Sequence, residues 1–273
     1  METGLPLLAS MGNRSSVSRA YNLFQTTTEP YDTPNILEDF KNDKPLLIMI
    51  DTSHINRFPY LEEGTKFLKA VDAMRYFELP LAGFQERILA RKQEIITALK
   101  ADSLLFDLNG FLSTDSLSTF VYNSLDDQKS SKHYKGNGGL ELNISNTQEI
   151  FKAPIPAFKK GDKVTLSFWA NDLSKFPVAN TFIHAKLWHP ETGELLWQYN
   201  PQIRYLLSVM ANDGWSLVEM PFELKGTGIL EISIENNAME NQAFFVDELL
   251  IRKSSTDLYK ADNPMFKNNR YYQ

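Results

Sequence analysis

The feature that most constrains this chain is a change of hydrophobic period near residue 118. Beyond it, apolar residues recur at every second position in runs too short for helices. Leu140, Leu142 and Ile144 alternate, and Val164, Leu166, Phe168 and Ala170 alternate around Thr165, Ser167 and Trp169. Ile183, Ala185 and Leu187 oppose Phe182, His184, Lys186 and Trp188. Val218, Met220, Phe222 and Leu224 follow Trp215, and Leu230, Ile232 and Ile234 sit between Glu231, Ser233 and Glu235. Turn-forming groups separate the runs: Lys160-Gly161-Asp162, Pro190-Glu191-Thr192-Gly193, Asn212-Asp213-Gly214 and Lys225-Gly226-Thr227-Gly228. Each such strand has one apolar face to bury. Several of them at short spacing predict an antiparallel β-sandwich, a jelly roll, over residues 118–253.

The first part of the chain reads differently. Residues 1–44 form an extended polar leader broken by Pro30 and Pro34. Pro45 to Asp51 is a continuous apolar run ending in an acid, the pattern of a strand buried on both faces. Tyr60 to Tyr76 reads as a helix, with Leu61, Phe67, Leu68, Val71 and Met74 near one stripe. Residues 82–100 read as a second helix, with Phe84, Ile88, Ile95 and Leu99 on one face, and Ser103 to Leu108 as a second apolar strand. Residues 45–115 are therefore expected to be a small α/β region, and the chain as a whole an α+β protein in two parts. Residues 254–273, polar with scattered Tyr259, Phe266, Tyr271 and Tyr272, read as a loosely packed tail.

Composition removes several functions. A net charge of −6 argues against nucleic acid as a partner, because binding it calls for basic surface. The chain has no cysteine, which excludes disulfides, thiolate metal sites and a cysteine nucleophile. No apolar run approaches the roughly 20 residues that cross a bilayer. Leu5 to Met11 is too short for the core of a signal peptide, so a mature or excised soluble region is expected. No glycine-rich phosphate loop, HExxH pair or nucleophile elbow is present. These absences lean towards a non-catalytic protein.

Within residues 118–253, local signals line up in one order. Val121-Tyr122-Asn123-Ser124-Leu125-Asp126-Asp127 is followed by Tyr134-Lys135-Gly136-Asn137-Gly138-Gly139-Leu140. Then come Thr165-Leu166-Ser167-Phe168-Trp169-Ala170, Asp213-Gly214-Trp215-Ser216-Leu217-Val218 and the closing Phe245-Val246-Asp247-Glu248-Leu249. The series resembles the galactose-binding-like jelly rolls found among carbohydrate-binding modules of bacterial polysaccharide-processing proteins. The resemblance implies a glycan or polysaccharide as partner and an extracytoplasmic setting, at the periplasm or cell surface. It further implies that the chain works beside a catalytic or membrane region of the same envelope protein. It also implies a structural calcium held by Asp126 and Asp247, although here the opening acid follows Leu125 where the family commonly has an aromatic. A carboxylate at Asp247, read as sharing a strand face with Phe245, Leu249 and Ile251, needs a partner in any case. Calcium, backbone amides or a nearby lysine would each serve.

Two places could carry ligand chemistry. His184, Lys186 and Trp188 point away from the core set of their strand, and Trp197 and Tyr199 lie across the Pro190–Gly193 turn. Sugars stack on exposed aromatics flanked by polar side chains, so these five residues form the candidate binding face. The alternative is that the tryptophans are packing residues under another layer. The second place is Asp51 and His54, directly after the apolar run. At the carboxyl end of a buried parallel strand they could act as acid–base partners in a glycan-active hydrolase or transferase. Otherwise Asp51 caps a turn and His54 is simply exposed. A third reading makes the sandwich a structural spacer.

Overall fold

The computed structural model describes residues 43–57, 61–101, 105–117, 120–142, 146–155, 157–171, 181–203, 206–212, 214–236, 243–260 and 265–272. The leader through residue 42 lies outside them. The chain divides into two compact units, residues 1–101 with 272–273, and residues 102–271.

In the first unit, β1 (Leu46–Asp51) is followed by a 3-10 segment (Thr52–Arg57), a single helical turn α1 (Leu61–Gly64), strands β2 (Lys66–Val71) and β3 (Met74–Leu79), and helix α2 (Phe84–Ala101). The sheet order is β1-β3-β2, antiparallel throughout. Ile50, Leu61 and Phe77 form its small core, with Ile48 and Ile55 against them. Two expectations are corrected here. The expected helix over Tyr60–Tyr76 is, in its described residues 61–76, a helical turn followed by one strand and the start of the next. Gly64 ends α1, and Asp72, at φ +52, makes the tight turn that pairs Val71 with Met74. The run at 45–51 is not buried on both faces either, because Leu47 and Met49 stay 46% and 53% exposed. Helix α2 follows its expected stripe, with Ile88 and Leu99 buried, while the side chain of Ile95 lies outside the description.

The second unit is the β-sandwich. One sheet has the order β11 (Leu195–Tyr199), β10 (Thr181–Trp188), β14 (Ile229–Asn236), β8 (Asn146–Pro154). The other runs β12 (Leu207–Asn212), β13 (Trp215–Glu223), β9 (Lys163–Asn171), β15 (Phe244–Lys253), β6 (Phe120–Asn123), with β7 (Leu140–Leu142) also paired to β15. The alternating apolar residues of β9, β10, β13 and β14 meet between the sheets, where Leu166, Phe168, Ile183, Leu187, Met220 and Ile232 are fully buried. This is the core that period two predicts.

A third sheet, β18 (Arg270–Tyr272), β17 (Met265–Lys267), β16 (Leu258–Lys260), β5 (Phe111–Ser113), β4 (Phe106–Leu108), joins the two ends of the unit. Its Phe111, Leu258 and Phe266 pack on Leu250 of β15, with Phe120, Tyr122 and Tyr271 around them. The expected loose tail is therefore ordered strand. Its hairpin turns at Asn268-Asn269, with φ +51 and +73, a conformation asparagine tolerates better than most residues. Likewise Phe106–Leu108, expected to complete the N-terminal region, pairs with β5 in the second unit.

Strand β15 carries one irregularity that sets the direction of its side chains. Across β15 and β9, Asp247 faces Trp169 and Leu250 faces Ser167, so the strand has an extra residue at this point. Glu248 sits there at φ +55, as in a β-bulge. Asp247 consequently shares the outer face with Leu250, while Leu249 and Ile251 turn into the core. The expectation that Asp247, Leu249 and Ile251 share a face fails because the bulge shifts the phase by one.

Candidate functional site

The outer face of the four-stranded sheet is built by alternation along β10. Phe182, His184, Lys186 and Trp188 all remain partly exposed, while Ile183, Ala185 and Leu187 are sealed in the core. Strand register places Glu231 opposite Lys186, Ser233 opposite His184 and Glu235 opposite Phe182. On the far side of β14, Lys152 lies opposite Glu231.

Glu231 organises the face. Its carboxylate accepts the indole N–H of Trp188 at 3.0 Å and an ammonium N–H of Lys152 at 2.7 Å, with Lys186 Nζ at 3.5 Å. Partial burial works to raise its pKa, but the hydrogen bond and charge of Lys152, then Lys186 and the Trp188 N–H, together hold it below the usual carboxylate range. Lys186 Nζ also lies 5.9 Å from the centre of the Trp188 ring. Further along, His184 Nε2 is 2.8 Å from Glu235 Oε2, and the His184 ring lies beside that of Phe182, centroids 6.4 Å apart. The result is a row of polar and aromatic groups whose side chains restrain one another.

Of the five residues expected to share this face, the structure brings together His184, Lys186 and Trp188. It separates Trp197 and Tyr199 from them. Trp197 pairs with Leu187 and Tyr199 with Ala185, the two core-facing positions of β10. In a sheet, directly opposed residues point to the same side, so both rings lie on the core side of the sheet and not on the Trp188 face, with Tyr199 on the edge strand still 40% exposed. Trp197 lies 5.5 Å from Phe222 at an interplanar angle of 19° and packs on the core. Tyr199 flanks it at 6.3 Å. The expectation that these two share one face with His184, Lys186 and Trp188 is corrected accordingly.

The other outer face is closed. Trp169, Leu217 and Leu250 are fully buried and Trp215 nearly so. Tyr134 stacks on Trp169 at 3.9 Å, and the indole N–H of Trp169 donates to the carbonyl of Asn269 at 2.8 Å. Beneath this cover lies Glu248, which accepts the hydroxyls of Tyr122 and Tyr271, the latter at 2.6 Å. Burial raises the pKa of Glu248 and of both tyrosines. The sequence offered one local signal for this cover, the Asn268-Asn269 turn between two short apolar runs.

Asp126 and Asp247, the expected calcium ligands, meet the loop at 134–139. Asp247 Oδ2 accepts the backbone N–H of Tyr134 at 2.6 Å and of Lys135 at 3.0 Å, and its Oδ1 that of Glu248 at 2.8 Å. Asp126 Oδ1 accepts the N–H of Asn137 at 2.6 Å. The glycines let the loop approach this closely: a Cβ on Gly136 would stand 2.0 Å from Asp126 Oδ1, at a φ of +63. Calcium requires converging oxygen donors, whereas this loop turns N–H groups towards the carboxylates. In this arrangement the two carboxylates are satisfied by backbone amides. Burial raises the pKa of Asp247 despite these bonds, while the Asn137 N–H leads in lowering that of Asp126. Among the described residues no group of three or more His, Asp or Glu is placed to hold a metal.

Asp51 Oδ1 accepts both the backbone N–H and the hydroxyl of Ser53, at 2.8 and 2.7 Å, so it caps the turn that follows β1. Among the described residues β1 pairs with an antiparallel neighbour, so Asp51 does not lie at the carboxyl end of a parallel strand pair. The side chain of His54 lies outside the description.

No family model and no curated protein sequence matches the chain. Among solved structures, a family 16 carbohydrate-binding module is similar at 13% identity and a TM-score of 0.30, over 44% of this chain and 79% of that one. A CBM22-1 xylan-binding domain from Paenibacillus barcinonensis Xyn10C is similar at 12% identity and a TM-score of 0.29, over 52% and 85%. Tailspike protein 4 of bacteriophage CBA120 is similar at 10% identity and a TM-score of 0.30, over 54% and 20%. The sandwich thus has neighbours among carbohydrate-binding modules, but its fold rests on the register of its own strands rather than on these likenesses.

Proposed function

We propose that this is a non-catalytic glycan-binding protein, working outside the cytoplasm, whose sandwich holds a polysaccharide along the outer face of the four-stranded sheet. The observation that carries the reading is Trp188: a large ring left partly exposed on a rigid strand, its orientation fixed by Glu231, which Lys152 and Lys186 hold in turn. A stacking platform fixed in advance loses little side-chain freedom on binding. Phe182 lies six residues along the same strand face, about 20 Å away at the usual rise per residue. That spacing suits a sugar chain better than a monosaccharide. His184, Lys186 and Glu235 supply hydrogen-bonding groups between the two rings. The extracytoplasmic setting is proposed from the ligand class. Among the described residues no helix is long and apolar enough to cross a membrane.

Affinity electrophoresis through gels containing soluble xylan, β-glucan or mannan tests the reading. Retardation by at least one polysaccharide is expected. It should vanish in Trp188→Ala while the melting temperature stays near that of the parent. An unretarded parent protein on all three, or a retarded Trp188→Ala, would overturn it.

A further inference from the structure

A depression of about 460 Å³ opens at the end of the sandwich where three turns meet. The turn between β8 and β9 brings Lys160, that between β10 and β11 brings His189 and Glu191, and that between β13 and β14 brings Lys225 and Thr227, with Leu196 of β11 beside them. The turns are stitched to one another or closed on themselves. The Gly161 N–H donates to the Leu224 carbonyl at 2.8 Å, the Leu224 N–H to the Asp162 carbonyl at 3.0 Å, and the His189 N–H to the Glu194 carbonyl at 2.8 Å. Gly228 lies so close to the Trp188 carbonyl that a Cβ there would stand 2.2 Å from its oxygen. The recess is therefore shaped before any ligand arrives.

Its chemistry is that of an anion site with an apolar wall. Lys160 makes no ion pair among the described residues. Lys225 is shared only with Glu223, a pair in which both side chains are about half exposed and so weakly coupled. His189 Nδ1 accepts the N–H groups of Glu191 and Thr192 at 3.3 and 3.2 Å, which leaves the ring proton on Nε2 as a donor. Glu191 is the one carboxylate in the lining, and Leu196 stays 42% exposed. The recess thus gathers two ammonium groups and the His189 N–H at its mouth, with Glu191 in the lining and Glu223 on Lys225 as the only acids the described residues place beside them.

We infer that the recess binds the carboxylate of an acidic sugar residue, a uronic acid, with the ring's C–H face against Leu196 and the carboxylate between Lys160 and Lys225. The site is distinct from the Trp188 face and does not depend on it. Isothermal titration of the full chain at low salt with a galacturonate oligomer, and with a neutral galactose oligomer of the same length, provides the test. The acidic oligomer should bind and the neutral one should not bind at this site. Added salt should weaken the acidic oligomer, and the double variant Lys160→Ala/Lys225→Ala should weaken it about tenfold at unchanged melting temperature. Trp188→Ala should leave this affinity intact, so failure of the polysaccharide reading and failure of this one are separable. Equal binding of the neutral oligomer to the Trp188→Ala variant, full affinity in the double variant, or no uronate binding would overturn the inference. So would acetate binding as tightly as the uronate, because that describes a site for a bare anion.

Discussion

Trp169 and Trp188 occupy equivalent positions on the two sheets of one sandwich, each pointing away from the shared core. Trp169 is wholly buried, stacked on Tyr134 and hydrogen-bonded to Asn269, whereas Trp188 remains partly exposed beside Glu231. Their own strands do not account for the difference, since both follow the same period of two. It comes from a loop 35 residues before Trp169 and a hairpin 100 residues after it, which fold over one sheet and leave the other. An outward aromatic is thus a candidate ligand platform only where no distant segment covers it.

The carboxylates repeat the contrast. Under the cover, Glu248 is satisfied by two tyrosine hydroxyls and burial drives its pKa up. On the open face, Glu231 is met by ammonium groups and an indole N–H, and its pKa falls although burial opposes this. One face has become interior, and the other keeps a solvated ion network.

The largest effect expected from this comparison is on stability. Trp169→Ala should cost about 3–5 kcal/mol, the range for emptying a buried aromatic site, while Trp188→Ala should cost about 1 kcal/mol or less. Urea unfolding of both variants measures this directly. Equal losses would mean that Trp188 is packed like Trp169, which removes the ground for a binding face. Next comes Asp247→Asn. An amide cannot accept at both of its heavy atoms, so it would turn its NH2 group onto the N–H of Glu248 or onto those of Tyr134 and Lys135. A loss of about 2–3 kcal/mol is expected. A neutral result would show that the loop does not depend on this carboxylate.

How much of this could be read in advance depends on how local each signal is. The core positions of β9, β10, β13 and β14 were legible because period two and turn residues act within a few neighbours. So was the outward direction of His184, Lys186 and Trp188. Trp197 and Tyr199 lie on the side opposite Trp188 because their side depends on register across a turn, and that register slips between Leu187 and Trp188. Leu249 and Ile251 were misplaced by a single residue in a positive-φ conformation at Glu248. The Tyr60–Tyr76 segment satisfied a helical spacing by coincidence, and the pairing of Val71 with Met74 overrode it. The cover over Trp169 left only a local turn signal at Asn268-Asn269, because its contacts are the most distant in sequence.

A smaller effect separates the two glutamates by pH. The folded pKa of Glu248 is raised, so its contribution to stability is complete below the ordinary carboxylate range and is lost as pH rises through the raised value. The folded pKa of Glu231 is lowered, so its contribution is present above the ordinary range and is lost as pH falls through the lowered value. Melting temperatures measured across pH should show a weaker decline on the rising side in Glu248→Gln and a weaker acid-side decline in Glu231→Gln. Interchanged slopes would contradict the contrast between closed and open faces.

The smallest expected effect is that of calcium. If backbone N–H groups satisfy Asp126 and Asp247, adding calcium at millimolar levels or removing it with a chelator should leave the melting temperature unchanged. A cation that binds only the folded chain raises stability by about 2.7 kcal/mol at one hundred times its dissociation constant, so a real site would be conspicuous in the melting curve. A calcium-dependent rise abolished by Asp126→Asn would mean that the loop at 134–139 can turn carbonyls inward in place of its N–H groups. The covered face would then be held by an ion as well as by Tyr134 and Asn269. Without such a rise, the glycines at 136, 138 and 139 are explained by close backbone approach alone, since a Cβ on Gly138 would stand 2.5 Å from the Asp126 carbonyl oxygen and one on Gly139 would be 3.1 Å from that of Lys132.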